Sequence, residues 1–139
     1  MARSDFTFVY RFRVRYAEVD PQNVVFNSRY LEYADLVTTE FLRACGLIEN
    51  GELHFDAHVA HAAVTYRKPI RADEEIDGWM KVDRIGTSSM TKRIELHGAD
   101  AEDLRAVIEL VYVHVDLATG ASSPVPDTVR TALMPEGAA

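Results

Sequence analysis

Hydrophobic and polar positions follow a helical period in one long stretch, residues 27–46. Asn27 and Ser28 are residue types that cap helix N-termini, and Gly46 favours the left-handed conformation that stops a helix. Apolar residues recur at spacings of three and four and form a broad face. Its members are Tyr30, Ala34, Val37, Phe41 and Cys45, widened by Tyr33, Leu36 and Ala44. We predict one long helix that starts at Asn27 or Ser28, ends at Gly46 and is largely wrapped by other structure.

Most of the remaining chain alternates between apolar and polar residues, as strands do. The predicted strands cover residues 6–16, 57–68, 76–85, 90–97 and 106–117. The last is apolar on both faces, which is typical of a central strand. Residues 47–56 show no period and predict a mobile loop. A short helix is predicted over residues 128–134, with Asp127 as its cap.

The predicted order is one strand, one long helix and then four strands joined by short turns. Consecutive strands with a segregated helix predict an α+β fold with an antiparallel five-stranded sheet. Because the helix is apolar around much of its circumference, we expect the sheet to curl around it. A chain of 139 residues has the size of one domain, so a single domain over residues 1–139 is expected.

Charge and composition narrow the possible functions. The net charge of -7 argues against a general nucleic-acid surface. No signal peptide and no apolar run long enough to cross a bilayer is visible, so we expect a soluble cytoplasmic protein without a membrane partner. Cys45 is the single cysteine and is predicted to be a small buried hydrophobe. His58 and His61 have an odd spacing that places them on opposite faces of a strand, and no metal site is expected.

Residues 14–35 read VRYAEVDPQNVVFNSRYLEYAD. This segment resembles the signature of the 4-hydroxybenzoyl-CoA thioesterase family, which includes the YbgC-like acyl-CoA thioesterases. The resemblance implies a hot-dog fold, in which the five-stranded sheet wraps around one long central helix. It also implies hydrolysis of an acyl thioester to free acid and CoA, without a cofactor, since coenzyme A is part of the substrate. Family members are usually homodimers or homotetramers with active sites at the subunit interface.

Asp20 is the candidate catalytic residue. By its own chemistry, an aspartate before a proline is equally a common turn or helix cap. In the resembled family the aspartate at this position is the catalytic carboxylate, acting as general base or as nucleophile. The helix start close behind it offers backbone N–H groups and the positive end of a dipole to an oxyanion.

The resemblance gives assisting roles to two residues that flank Asp20. Tyr16 matches the family tyrosine. Asn27 replaces the family histidine, and an asparagine cannot shuttle a proton near neutral pH. Asn23 stands where the family usually has glycine, and asparagine is one of the few other residue types that tolerate positive φ.

Two further groups are candidates for substrate binding. The acyl group is expected near Val25, Phe26 and Tyr30 and a facing surface of a partner subunit. The phosphates of coenzyme A need cations or backbone N–H groups, although solvated charges at a sheet edge would produce the same pattern. The predicted coenzyme-binding residues are Arg67, Lys68, Arg71, Arg84, Ser88 and Ser89.

Two alternative functions remain open. One is a non-catalytic subunit that binds acyl-CoA or acyl carrier protein. The other is a hot-dog hydratase or dehydratase, which would need a different acid/base pair that usually includes a histidine.

Overall fold

The computed structural model describes residues 6–134. Its elements are β1 (Phe8–Arg13), α1 (Arg29–Ala44), β2 (Ile48–Glu49), β3 (Glu52–Leu53), β4 (Ala57–Tyr66), β5 (Glu75–Ile85), β6 (Ser89–Gly98), β7 (Leu104–His114) and α2 (Asp127–Leu133). Five strands form one antiparallel sheet in the order β1-β5-β6-β7-β4, and β2 pairs with β3 in a separate hairpin. The predicted α+β class and antiparallel five-stranded sheet are confirmed.

Helix α1 lies against the inner face of the sheet, where the core is found. Its buried residues keep the predicted spacing of three and four; they are Tyr30, Tyr33, Ala34, Val37, Thr38, Phe41 and Leu42. The prediction was wrong at the other edge of this face, because Leu36 and Cys45 are half-buried and Ala44 is exposed. The helix approaches the sheet closely at Gly78 of β5, where a Cβ atom would collide with Cγ2 of Val37. The helix therefore rests almost on the backbone of β5, which is possible because Gly78 has no side chain. The arrangement is the hot-dog fold that the resemblance implied.

The two ends of α1 are formed differently. Ser28 occupies the N-cap position but has a helical conformation and makes no side-chain cap hydrogen bond, so the predicted cap chemistry was wrong. Gly46 has φ of 77°. The N–H groups of Gly46 and Leu47 donate to the carbonyls of Arg43 and Leu42 at 3.1 and 2.9 Å. This pattern is a Schellman motif, and it confirms the predicted stop at Gly46.

Two other local predictions were wrong. Residues 47–56 are not an irregular loop, because they contain the β2–β3 hairpin and bury Leu47 and Phe55. Strands of two residues are too short to show a period, so the sequence could not reveal them. Asp127 is the first residue of α2 rather than its cap, and Pro126 holds the N-cap position.

Strand β4 forms one edge of the sheet. It pairs with β7 on one side, and eight of its ten residues are exposed. No helix within residues 6–134 is long and apolar enough to cross a membrane.

Candidate active site

The chain between β1 and α1 folds back on itself at Asp20. A β-turn over residues 20–23 is closed by the Asn23 N–H, which donates to the Asp20 carbonyl at 2.9 Å. The Asp20 N–H in turn donates to the carbonyl of Val24 at 2.8 Å. Pro21 suits the second position of such a turn, and Asn23 has the positive φ, 65°, that its residue type tolerates.

The carboxylate of Asp20 is half-buried and supports its own turn. Its Oδ1 accepts the N–H of Gln22 at 2.8 Å, which is an Asx turn. Its Oδ2 has no hydrogen-bond partner among residues 6–134. The turn role that aspartate–proline pairs often have is therefore present, and one carboxylate oxygen stays available.

The start of α1 lies beside this turn. The Phe26 N–H donates to the Glu18 carbonyl at 3.0 Å, and Val19 and Val25 form an antiparallel bridge. The first two amides of α1, at Arg29 and Tyr30, already donate to the carbonyls of residues 26 and 27. The amides of residues 27 and 28 make no hydrogen bond within the described part of the chain. These two amides, rather than those of α1 itself, are free donors in the segment between the Asp20 turn and α1.

A cavity of about 250 Å³ opens next to these amides. One wall comes from the segment before α1 and its first turn, and the other from the end of β4 and the residues that follow it. The lining residues are Val24, Val25, Asn27, Tyr30, Tyr66, Arg67, Lys68 and Pro69. Five of the predicted site residues, Asn27, Val25, Tyr30, Arg67 and Lys68, are thus brought together by elements distant in sequence.

Tyr66 also lines this cavity, although it was not among the predicted site residues. Its hydroxyl donates to the carbonyl of Asn27 at 3.0 Å, and its ring meets the ring of Tyr30 edge-on with centroids 4.8 Å apart. Tyr66 therefore ties the end of β4 to the start of α1. In the sequence it was one of several alternating residues, so no local signal distinguished it.

The other predicted residues do not line this cavity. Tyr16 and Phe26 are 76% and 47% exposed, and Asp20 lies in the adjoining turn. Arg71 is close, since its backbone bridges to Val24. The remaining three, Arg84, Ser88 and Ser89, lie at the opposite end of the sheet. Because β5 has 11 residues at about 3.3 Å each, the two groups are separated by about 30 Å within one chain.

A buried carboxylate anchors the segment that precedes Asp20. Glu18 accepts the Arg15 guanidinium at 2.9 Å and the Arg15 backbone N–H at 2.9 Å. It also accepts the Tyr33 hydroxyl of α1 at 2.9 Å. Burial by itself would raise the pKa of Glu18, but these hydrogen bonds outweigh it and the pKa is lowered. Burial and the bond to Glu18 raise the pKa of Tyr33. Glu18 was missed because its burial depends on α1 packing above it.

Arg105 of β7 holds the opposite wall of the cavity. Its guanidinium donates to Glu74 at 2.9 Å and to the Pro69 carbonyl at 3.0 Å. Its own carbonyl accepts the N–H groups of Arg67 and Lys68 at 2.8 and 3.1 Å. Hydrogen bonds from Arg105 lower the pKa of Glu74, and bonds from Arg105 and Lys68 lower that of Asp103 to about 2. The network fixes the cationic segment 67–69 in place.

Possible metal ligands are not gathered in this region. Within residues 6–134, no group of three or more His, Cys, Asp or Glu side chains is placed to hold a metal ion.

Comparison with known proteins agrees with this architecture. The sequence profile of the thioesterase-like superfamily matches residues 14–133. A crystal structure of a 1,4-dihydroxy-2-naphthoyl-CoA thioesterase from Synechocystis is similar, with a TM-score of 0.83, 19% identity and coverage of 91% of this chain and 94% of that one. The PA5185 protein of Pseudomonas aeruginosa gives a TM-score of 0.85 at 21% identity, over 94% of this chain and 92% of its own.

A relative by sequence is a provisionally named esterase from Aquifex aeolicus (strain VF5). It is 27% identical over 86 residues, which is 60% of this chain and 67% of the relative. The two structural likenesses, both below 25% identity, establish the fold. Because the superfamily profile spans the Asp20 turn, α1 and both walls of the cavity, this chain belongs to the thioesterase-like superfamily of hot-dog thioester hydrolases.

Proposed function

We propose that this protein hydrolyses acyl-CoA thioesters to free acid and CoA, with Asp20 as the catalytic carboxylate. The observation that carries the proposal is that the Asp20 turn and the free amides of residues 27 and 28 lie on one short segment, beside a cavity with Arg67 and Lys68 in its wall. This reaction needs a carboxylate as base or nucleophile, N–H donors for the oxyanion, and cations for the phosphates of coenzyme A.

The reaction follows from these groups. Asp20 takes a proton from the water that attacks the thioester carbonyl, or attacks the carbonyl itself to form a mixed anhydride that water then hydrolyses to the free acid. Both routes fit the available Oδ2. The oxyanion that develops accepts hydrogen bonds from the amides of Asn27 and Ser28, assisted by the positive end of α1. Coenzyme A then leaves as a thiolate, a good leaving group because a thiol has a pKa of about 8.5. In this scheme Asn27 acts through its backbone amide, so the reaction does not require a histidine side chain at this position.

The cavity residues divide the substrate between them. Val25 and Tyr30 are buried and apolar in character, and they would contact the acyl group close to the thioester. Arg67 and Lys68, with Arg71 nearby, would pair with phosphate oxygens of coenzyme A. Phe26, exposed on the outside of the segment, would contact the substrate only together with a facing partner surface.

We further propose that the protein acts as a homodimer or homotetramer, built on the free edge of β4. An exposed edge strand of ten residues is a template for pairing with another chain. If two copies pair antiparallel along β4, the Ala57 end of one strand lies beside the Tyr66 end of the other. That pairing would bring the β5–β6 turn of a second copy, with its Arg84, Ser88 and Ser89, towards this cavity. The separation of these residues within one chain is then expected.

A hydrolysis screen tests the proposal. Wild-type protein and Asp20→Ala are incubated with short, long and aromatic acyl-CoAs, and release of free thiol is followed together with binding of each thioester. We expect turnover of at least one class by the wild type, and binding without turnover by Asp20→Ala. Tight binding without turnover by the wild type on the whole panel would refute the hydrolase and indicate a binding subunit. Sedimentation of the wild type tests the assembly, and a monomer at all concentrations would contradict it.

A further inference from the structure

A lysine lies in the core between α1 and the sheet. Lys92 belongs to the inner face of β6 and is 1% exposed. Its side chain borders a second cavity, of about 160 Å³, which is separate from the one described above. Thr38 and Thr39 of α1 form its upper side, Lys92 and Tyr112 its sheet side, and Leu53 and Phe55 a wall from the β2–β3 segment.

The polar groups of this cavity lack partners. The Lys92 ammonium lies 4.2 Å from the centroid of the Tyr112 ring, and within residues 6–134 no carboxylate forms an ion pair with it. Asp35 also borders the cavity, but its side chain is exposed to solvent. The Thr38 hydroxyl is buried beside the Tyr112 phenol and makes no hydrogen bond of good geometry within residues 6–134.

The buried Lys92 ammonium and Thr38 hydroxyl lower the stability of the folded protein unless a bound group interacts with them. Burial lowers the pKa of Lys92 to about 8, so most of the amine is charged at neutral pH. An isolated buried charge costs several kcal/mol unless it is paired. A buried hydroxyl without a partner adds to that cost. Two such groups facing one cavity indicate a ligand that carries negative charge.

We propose that this cavity, named here the Lys92 pocket, binds the anionic end of a small organic acid. Lys92 supplies the charge and Thr38 a hydrogen bond, while Leu53 and Phe55 contact the apolar part of the ligand. The volume limits the ligand, because an apolar cavity of about 150 Å³ holds one benzene ring. An aromatic carboxylate or the end of an aliphatic diacid therefore fits, whereas a nucleotide does not.

The acid can come from two sources. It is either a free acid from solution or the acyl group of a thioester substrate, and only the second source rests on the proposed function. Thr38 follows Ser28 by ten residues, so the pocket lies about 15 Å along α1 from the Asp20 site of the same chain. A short acyl group can therefore reach it only from the cavity of a second copy paired along β4.

Binding of a free acid is the first test. Benzoate and its neutral analogue benzyl alcohol are titrated into wild type, Lys92→Met and the control Lys81→Met, and binding is followed by NMR. Lys81 is a suitable control because in the wild type its ammonium pairs with Asp83 at 3.1 Å on the other face of the sheet. We expect Lys92→Met to weaken benzoate binding at least about tenfold, the effect of losing one charged hydrogen bond. Benzyl alcohol binding and the control should not change.

The second test distinguishes the sources. Values of kcat/KM are measured for wild type and Lys92→Met with two pairs of thioesters. The pairs are hexanedioyl-CoA with hexanoyl-CoA, and dodecanedioyl-CoA with dodecanoyl-CoA. A loss in Lys92→Met confined to the diacid thioesters supports the acyl group as the ligand. Weakened benzoate binding with unchanged thioester kinetics supports a free acid. If benzoate binds no better to wild type than to Lys92→Met, and no diacid preference exists, the inference is overturned while hydrolysis of other thioesters stands.

Discussion

Replacement of Lys92 by methionine should stabilise the protein at neutral pH. In the unfolded chain a lysine binds its proton up to a pKa of about 10.4, whereas burial lowers the pKa of Lys92 in the folded protein to about 8. Between these values the unfolded state binds more protons, so the Lys92 contribution to stability rises with pH. Below pH 8 the amine is charged in both states and the full cost of burying it applies.

The magnitude follows from the two pKa values. Their difference of about 2.5 corresponds to about 3 kcal/mol at 1.36 kcal/mol per pKa unit. Methionine is similarly long and carries no charge, so the free energy of unfolding of Lys92→Met should exceed that of the wild type by up to about 3 kcal/mol at pH 7. The gap should close as the pH rises from about 8 to about 10.5. Half-buried Cys45 and the buried tyrosines have raised pKa values and titrate in the opposite sense, so the prediction concerns the difference between the two proteins.

Urea unfolding followed by Trp79 fluorescence measures this difference. Both proteins are unfolded at one fixed concentration and at several pH values between 7 and about 10, since subunit association also affects apparent stability. Lys81→Met serves as the matched control and should stay within about 0.5 kcal/mol of the wild type. A Lys92→Met protein that is less stable than the wild type at pH 7, or a stability difference that does not depend on pH, would contradict the burial of a charged amine at Lys92.

Three other perturbations test the packing. Gly78→Ala should lower the free energy of unfolding in urea by about 1–3 kcal/mol because its Cβ meets Val37. The double variant Gly78→Ala/Val37→Ala should lose less stability than the sum of the two single variants. Strict additivity would contradict the close approach. Arg105→Met should cost about 1.5–3 kcal/mol by removing the charged hydrogen bonds to the half-buried Glu74, which keeps the Arg71 N–H. It should also raise KM by releasing the cavity wall, and an unchanged KM would argue against that support. Cys45 should react with a thiol reagent far more slowly in the folded protein than in urea, because burial raises its pKa; equal rates would show that it is accessible.

The fold followed from the sequence because its strongest signals are periodic. The apolar face of α1 spans four turns, and Gly46 marks its end by a conformation that glycine adopts most easily. The failures concern conformation rather than pattern. Ser28 has a cap residue's identity but helical dihedral angles, so its hydroxyl cannot reach the amides it was expected to cap.

The candidate site was only partly predictable. The motif around Asp20 is local, so the sequence located it directly. The opposite wall comes from the end of β4, and Tyr66 and Arg105 acquire their roles only when that strand packs beside α1. Lys92 had a signal that was overlooked: it is in phase with Met90, Ile94 and Leu96, the inner face of β6. A charged residue at a position of that face should have been read as buried.

The most direct test of the account is the activity of Asp20→Asn. Asparagine keeps an oxygen that can accept the Gln22 N–H, so the turn is preserved while the basic carboxylate is lost. Asp116→Asn is the matched control, because Asp116 accepts the Ala118 N–H at 2.9 Å in the same kind of turn away from the site. On the best acyl-CoA of the screen, kcat for Asp20→Asn should fall by about 10²–10⁴-fold with unchanged thioester binding, and Asp116→Asn should match the wild type. Full activity in Asp20→Asn would contradict the assignment of Asp20 as the catalytic carboxylate.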